Sequence, residues 1–325
     1  MRITNGMMIN NMLYNVNQNL ARLEKINQQY STQKKFSLPS DDPIGVSKSL
    51  KFNTDLSKIA QYKRNAEDAD AWMTETESAL TEIETIFQRA NELAVQMANG
   101  TYKDDLKNTK EEIDQMKEHL IQISNTTYAG RYIFSGFKTD QPLLDDDGNY
   151  AIPLTMNGDN TEVFQYNVGV SESVKVNTLG GRVFGTYTTD ASGNITEDFS
   201  SNITQDDVAS GKGSYLVEVL QKFSDALGGT EPVEDEIQNT IGRIKTSLNQ
   251  ILSVKSEIGA KVNRLELTQK KLNSQVQSTK ELISDNEDVD LFEIVISLYK
   301  EENVYTASLS AGAKIIQPSL LDFLS

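Results

Sequence analysis

The chain has 325 residues, enough for two or three domains and a sizeable core, and its 24% charged and 38% apolar residues suit a water-soluble protein with much polar surface. It contains no cysteine, which excludes disulfides, cysteine–zinc sites and thiol catalysis. The formal net charge is −16 and no segment offers a basic patch, which argues against nucleic-acid binding.

No stretch approaches the roughly 20 apolar residues of a membrane span. The start, "MRITNGMMINNMLYN", lacks a continuous apolar core behind a basic head, so no cleaved signal peptide is expected. The protein then either stays in the cytoplasm or leaves by a route that reads an uncleaved N-terminus. The charge is uneven: residues 139–236 hold 18 acidic and 4 basic side chains, read as a solvated surface. Glycine and proline are absent from residues 46–99 and 260–311, whereas twelve of the 19 glycines lie between Gly136 and Gly229. The two ends therefore read as long helices and the middle as strands and turns.

In chain order, the first helix carries Leu13, Val16, Leu20, Leu23, Ile26 and Tyr30, alternating by three and four, a stripe as narrow as a coiled-coil seam. "KKFSLPSDDPIGVSKSL" then interrupts it, with Pro39 and Pro43 bracketing Ser40, Asp41 and Asp42. The prolines stiffen this corner and keep the residues before them extended, and Asp41 or Asp42 is placed to cap the next helix. That helix is predicted from about residue 46 to 98, roughly 80 Å long, with Tyr62, Ala69, Trp72, Leu80, Ile83, Phe87, Ala90, Ala94 and Met97 on its apolar face. Gly100 in "NGT" is suited to end it. A second bundle helix follows with Leu106, Ile113, Met116, Leu120 and Ile123.

Beyond "TTYAGRYIFSG" the periodicity changes. In "EVFQYNVGV", Phe164, Tyr166, Val168 and Val170 alternate with polar or small residues, "SVKVN" alternates too, and "DDDGN" and "NGDN" are turn chemistry. Residues 138–183 are expected to form a small antiparallel β domain, 184–211 a loop or weak strands, and 214–227 a short helix. The last third returns to heptads: Ile251, Ile258, Leu265 and Leu272 fall seven apart, with Val262, Val276 and Ile283 in complementary places. "SDNEDVD" breaks this pattern and offers a cap for a final helix carrying Leu291, Val295, Leu298, Val304, Leu309 and Ile315.

The expected fold is mainly α with an inserted small β domain. A long antiparallel bundle is built from both chain ends, and the outer N- and C-terminal helices form a coiled-coil assembly module. The domains are residues 1–36 with 288–325, residues 37–137 with 212–287, and residues 138–211. Two amphipathic helices make a small core, so they are expected to order fully only against other copies or a partner. The assembly residues are Leu13, Val16, Leu20, Leu23, Ile26, Leu291, Val295, Leu298, Leu309, Ile315, Leu320 and Leu321. The connector residues are Pro39, Asp41, Asp42 and Pro43.

Catalytic constellations are poor. His119 is the single histidine and sits in a helical pattern, so it reads as a structural or surface residue. "DDDGN" lacks the twelve-residue ligand spacing and closing Glu of a calcium loop, and "LGGRVFG" sits in β context, where glycines mark bends. No catalytic, cofactor or metal site is expected, and an enzyme or secreted effector ranks behind a structural role.

Several motifs together resemble the flagellin-like hook-associated proteins that join the flagellar hook to the filament. They are "MRIT", "PSDDPIG" at 39–45, "RANELAVQMANGTY" at 89–102, "NTTYAGRYIFSGFKTDQP" at 125–142, "IGAKVNRLE" at 258–266 and "YTASLSAGAKIIQPSLLDFL" at 305–324. One departure is Gln33, where the family often has a glycine ahead of the basic pair. The resemblance implies a ring of subunits joined to FlgK on the hook side and flagellin on the filament side. It also implies export through the flagellar type III apparatus without a cleaved signal, and a FlgN-type chaperone on the C-terminal helix. Residues 1–33 and 290–323 would line the inner tube, with the β domain facing outward. The alternative is a minor flagellin of the filament itself.

Overall fold

A computed structural model describes residues 5–99, 106–154, 163–189, 195–200, 202–228 and 234–316. The helices are α1 (Asn5–Thr32), α2 (Pro43–Ala98), α3 (Leu106–Ser124), α4 (Gly180–Phe184), α5 (Gln205–Ala209), α6 (Tyr215–Leu227), α7 (Glu234–Glu287) and α8 (Leu291–Ile316). The strands are β1 (Thr127–Tyr128), β2 (Arg131–Tyr132), β3 (Gln165–Asn167), β4 (Ser173–Lys175), β5 (Thr186–Thr189) and β6 (Ile195–Asp198). The chain divides into two compact units, Met1–Ala60 with Ser274–Ser325, and Gln61–Asn273. The fold is mainly helical, as the long glycine- and proline-free runs predict.

In the larger unit, α2 buries Ala66, Ala69, Met73, Thr76, Leu80, Ile83, Phe87, Ala90, Ala94 and Met97, alternating by three and four. A second row, Trp72, Ala79, Ile86 and Leu93, recurs every seven residues beside it. Two rows make the buried face wider than a coiled-coil seam, so α2 packs on more than one neighbour. α7 offers one long row that includes Ile237, Ile244, Ile251, Val254, Ile258, Leu265 and Leu272. Lys255 Nζ lies 2.7 Å from Glu84 Oε2, and Gln269 Nε2 donates to the Ala66 carbonyl at 3.4 Å, so the two helices run antiparallel. Arg89 pairs with Glu112 at 2.7 Å between α2 and α3. Ser224 of α6 accepts from Lys110 and donates to Asp114 of α3 at 2.7 and 2.6 Å.

Among the described residues the strands form three separate antiparallel pairs, β1–β2, β3–β4 and β5–β6, rather than one sheet. Their strands are too short to bury a face through pairing alone. Burial comes instead from the segments between them and from α4, where Tyr150 donates to the Gly185 carbonyl at 2.6 Å and Phe134 stacks edge-on against Phe184. β3 covers only Gln165–Asn167 of the expected alternating run. The Val168 N–H turns to bond Glu172, so Val168 is buried while Val170 sits 90% exposed on the turn. "TTYAGRY" closes as a tight hairpin because Ala129 and Gly130 both take positive φ. In "DDDGN", Asp145 Oδ1 accepts from the Asp147 and Asn149 N–H groups, and Gly148 supplies φ +85°. His119 is exposed on α3. Gly100 and residues 157–160 lie outside the described residues.

Candidate assembly module

The smaller unit pairs α1 with α8 in antiparallel fashion. Asn19 Nδ2 donates to Ser308 Oγ at 2.7 Å and Arg22 Nε meets Glu301 Oε2 at 3.4 Å. Further along, Gly312 is buried against Met12, and a Cβ there would overlap the Met12 methyl group. The positions turned toward the partner are Ile9, Met12, Val16, Asn19, Leu23 and Ile26 on α1. On α8 they are Ile294, Leu298, Glu301, Tyr305, Ser308 and Gly312. Both sets alternate by three and four, the geometry of a two-helix heptad seam.

The expected assembly residues divide between this seam and the solvent. Val16, Leu23, Ile26, Val295 and Leu298 are half-buried. Leu13, Leu20, Leu291 and Leu309 stay 43–46% exposed. The side chains of Ile315, Leu320 and Leu321 lie outside the described set. The seam differs from the apolar stripe read off the sequence because Asn19, Glu301 and Ser308 occupy seam positions. Apolar spacing alone selects Leu20 over Asn19; a polar residue inside a heptad run was the available signal for the alternative. α1 also exposes Met7 and Tyr14, and α8 exposes Phe292, Ile296 and Tyr299. Two helices cannot cover both their shared seam and these outer faces, which leaves apolar surface for another partner.

The corner between α1 and α2 has a definite construction. α1 ends at Thr32 because Gln33 takes φ +56°, the left-handed conformation that glycine supplies at low cost. Asp42 caps α2: its Oδ1 accepts from the Ile44 and Gly45 N–H groups at 3.1 and 3.0 Å. Pro43 occupies the first helical position, where no N–H is needed. A Cβ on Gly45 would overlap both the Asp42 carboxylate and the Phe36 ring. Asp41 folds back, accepting from the Ser37 and Leu38 N–H groups at 3.3 and 3.2 Å. These bonds, with Lys25 nearby, hold its carboxyl below the usual range. Pro39 lies exposed in the turn between them.

The corner is stitched to the break between α7 and α8. The Lys35 N–H donates to the Glu287 carbonyl at 2.6 Å, and the Val289 N–H donates to the Gln33 carbonyl at 3.1 Å. Lys34 Nζ reaches Asp288 Oδ1 at 2.7 Å and Glu287 Oε2 at 2.9 Å, which raises the lysine and lowers both acids. Ser49 donates to Glu287 and adds the largest part of its lowering. Asn286 Nδ2 donates to the Gly45 carbonyl at 2.9 Å. At the start of α8, Asp290 Oδ1 accepts from the Phe292 and Glu293 N–H groups, the cap expected in "SDNEDVD". Among the described residues, no group of three or more His, Cys, Asp or Glu is placed to hold a metal ion. No described helix is long and apolar enough to cross a membrane.

Long helical segments at both ends of the chain, the outermost two paired with each other, define the class. Residues 3–139 match the bacterial flagellin N-terminal helical region and residues 241–324 match the flagellin C-terminal helical region. The chain belongs to the flagellin family. Within that family, it is similar over nearly its whole length to flagellar hook-associated protein 3 of Escherichia coli, 26% identical over 96% of each chain. The Salmonella typhimurium protein of the same name is 26% identical over 95% of each. A flagellin of Bacillus subtilis is also 26% identical, over 98% of this chain and 97% of its own. Two solved structures share the fold. Bacillus cereus FlgL has a TM-score of 0.55 at 22% identity, covering 72% of this chain and 99% of that one. The flagellar junction protein FlgL of Legionella pneumophila has a TM-score of 0.54 at 18% identity, covering 74% and 99%.

Proposed function

We propose that this chain is a structural component of the bacterial flagellum, a junction adapter forming a ring between hook and filament. The carrying observation is the near-end-to-end similarity to hook-associated protein 3 of two species. The exposed apolar faces of α1 and α8 support it, since a subunit that works in a ring keeps surface for its neighbours. The finer reading puts FlgK on the hook side, flagellin on the filament side and a FlgN-type chaperone on α8 before export through the type III apparatus. In this reading α1 and α8 line the inner tube, the bundle surrounds it, and residues 138–211 face outward.

In this reading residues 34–45, bonded to the α7–α8 break, are the stiff non-helical corner that sets the angle between the terminal helices and the start of α2. Replacing Pro39 and Pro43 together by Ala is expected to alter junction strength or filament shape; flagella unchanged in both would remove this role.

Immunogold electron microscopy of detached flagella tests the main reading. Gold at one spot between hook and filament is expected. The similarity to Bacillus subtilis flagellin sustains one alternative, a minor filament subunit, and gold along the whole filament would establish it.

A further inference from the structure

The α1–α8 pair has two outer features at the same level of α8. The first is a groove of about 330 Å³ between the helices, with Leu20, Leu23 and Leu298 on its walls and Glu24 and Glu302 among its lining. The second is a ridge on the opposite side of α8 from the seam. Phe292, Ile296 and Tyr299, spaced by four and three, are 85%, 69% and 64% exposed. Lys300 is exposed beside the ridge, one turn on from Ile296.

Three observations link groove and ridge. They are complementary in form, one a recess between two helices and the other a row of large side chains. They are complementary in charge: Glu24 and Glu302 form no ion pair within the described chain, and neither does Lys300. They also share a level, since residues 292–302 span only about 15 Å of helix. Different faces at one level are brought together by rotation about an axis along the helices. That operation makes a heterologous contact, which closes into a ring or winds into a helix.

We propose that the Phe292–Ile296–Tyr299 ridge of one copy seats in the Leu20–Leu23–Leu298 groove of the next, with Lys300 meeting Glu24 and Glu302. This names the subunit contact and rests on the ring reading above. It commits the subunits to a head-to-tail arrangement, in which every copy uses two different faces.

The absence of native cysteines makes the test direct. Full-length chain carrying both Leu20→Cys and Ile296→Cys is expressed in motile cells, and isolated flagella are oxidised and run on a non-reducing gel. The expected result is a ladder beyond the dimer, with no cross-link when either substitution is present alone. Dimers from the Ile296→Cys chain alone would show a symmetric contact and overturn the proposal. So would a chain located at the junction by antibody that stays monomeric after oxidation. A chain absent from flagella overturns the ring reading and this contact with it. As a second measurement, Glu24→Lys with Glu302→Lys is expected to abolish the ladder and added Lys300→Glu to restore it. Loss without restoration removes the charge pairing.

Discussion

Asn19 and Ser308, 289 positions apart, share a 2.7 Å hydrogen bond in the middle of the α1–α8 seam. Asn19 is only 9% exposed, and Arg22 also donates to its side-chain oxygen. A polar pair at a seam position penalises every other register, because a slip would leave a buried amide unpaired. Replacing Asn19 by Leu and Ser308 by Ala together is therefore expected to keep or raise the stability of the pair. Its helices should nevertheless lose their single register. Asn19→Ala alone should cost about 1 kcal/mol. Hydrogen exchange of α1 and α8 in the full chain reads both; a double variant with unchanged, uniform protection would show that the pair does not set register.

Gln33 holds a left-handed backbone with a side chain that gains nothing from it. Gln33→Gly is expected to stabilise the chain by roughly 1 kcal/mol, since the strain of a Cβ at positive φ is removed. The added freedom of the unfolded chain offsets part of this gain. Denaturant unfolding measures the change, and a loss of stability would contradict the cap geometry.

Asp42 and Gly45 act as one cap. Asp42→Ala should cost about 1 kcal/mol by orphaning two N–H groups at the start of α2. Gly45→Ala is expected to destabilise as well, because its Cβ needs the space of the Asp42 carboxylate. The two losses should not add, since either one displaces the same carboxylate. Urea midpoints of the single and double variants test this.

The Lys34–Glu287–Asp288 cluster should make stability depend on pH. Both acids are held below their ordinary values of 4.5 and 3.8, so their contribution is full above that range. It fades as pH falls through their lowered folded values. Lys34 is raised above 10.5, so its contribution lasts to that point and is lost at higher pH. The stability difference between the native chain and Lys34→Met is expected to be largest near neutral pH and to shrink as pH falls below the ordinary carboxylate range. A constant difference across that range would show that the cluster contributes little.

Helix identity was legible because a buried helix face repeats in the chain itself. Ile251, Ile258, Leu265 and Leu272 mark α7 before any partner is known, and all four are buried. The corner was legible for the same reason of locality: Asp42, Pro43 and Gly45 satisfy the first turn of the helix they begin. The middle was less so. Val170 reads as a strand residue by alternation, yet the reversal at Val168 puts it in solvent. Alternation describes one chain, whereas a strand needs a second with matching hydrogen bonds.

What the sequence alone determined is therefore what its local physics dictates: long helices at both ends, a turn-rich middle, capped breaks, and no apolar membrane span. The phase of the α1–α8 seam was decided only by tertiary structure. Leu20 and Asn19 are neighbours on one helix, and which of them faces inward depends on Ser308 being across from it. The clasp at Lys34 was hidden likewise, because its carboxylates lie more than 250 residues away. Such contacts obey no spacing rule; they exist only once packing has brought two distant turns of chain together.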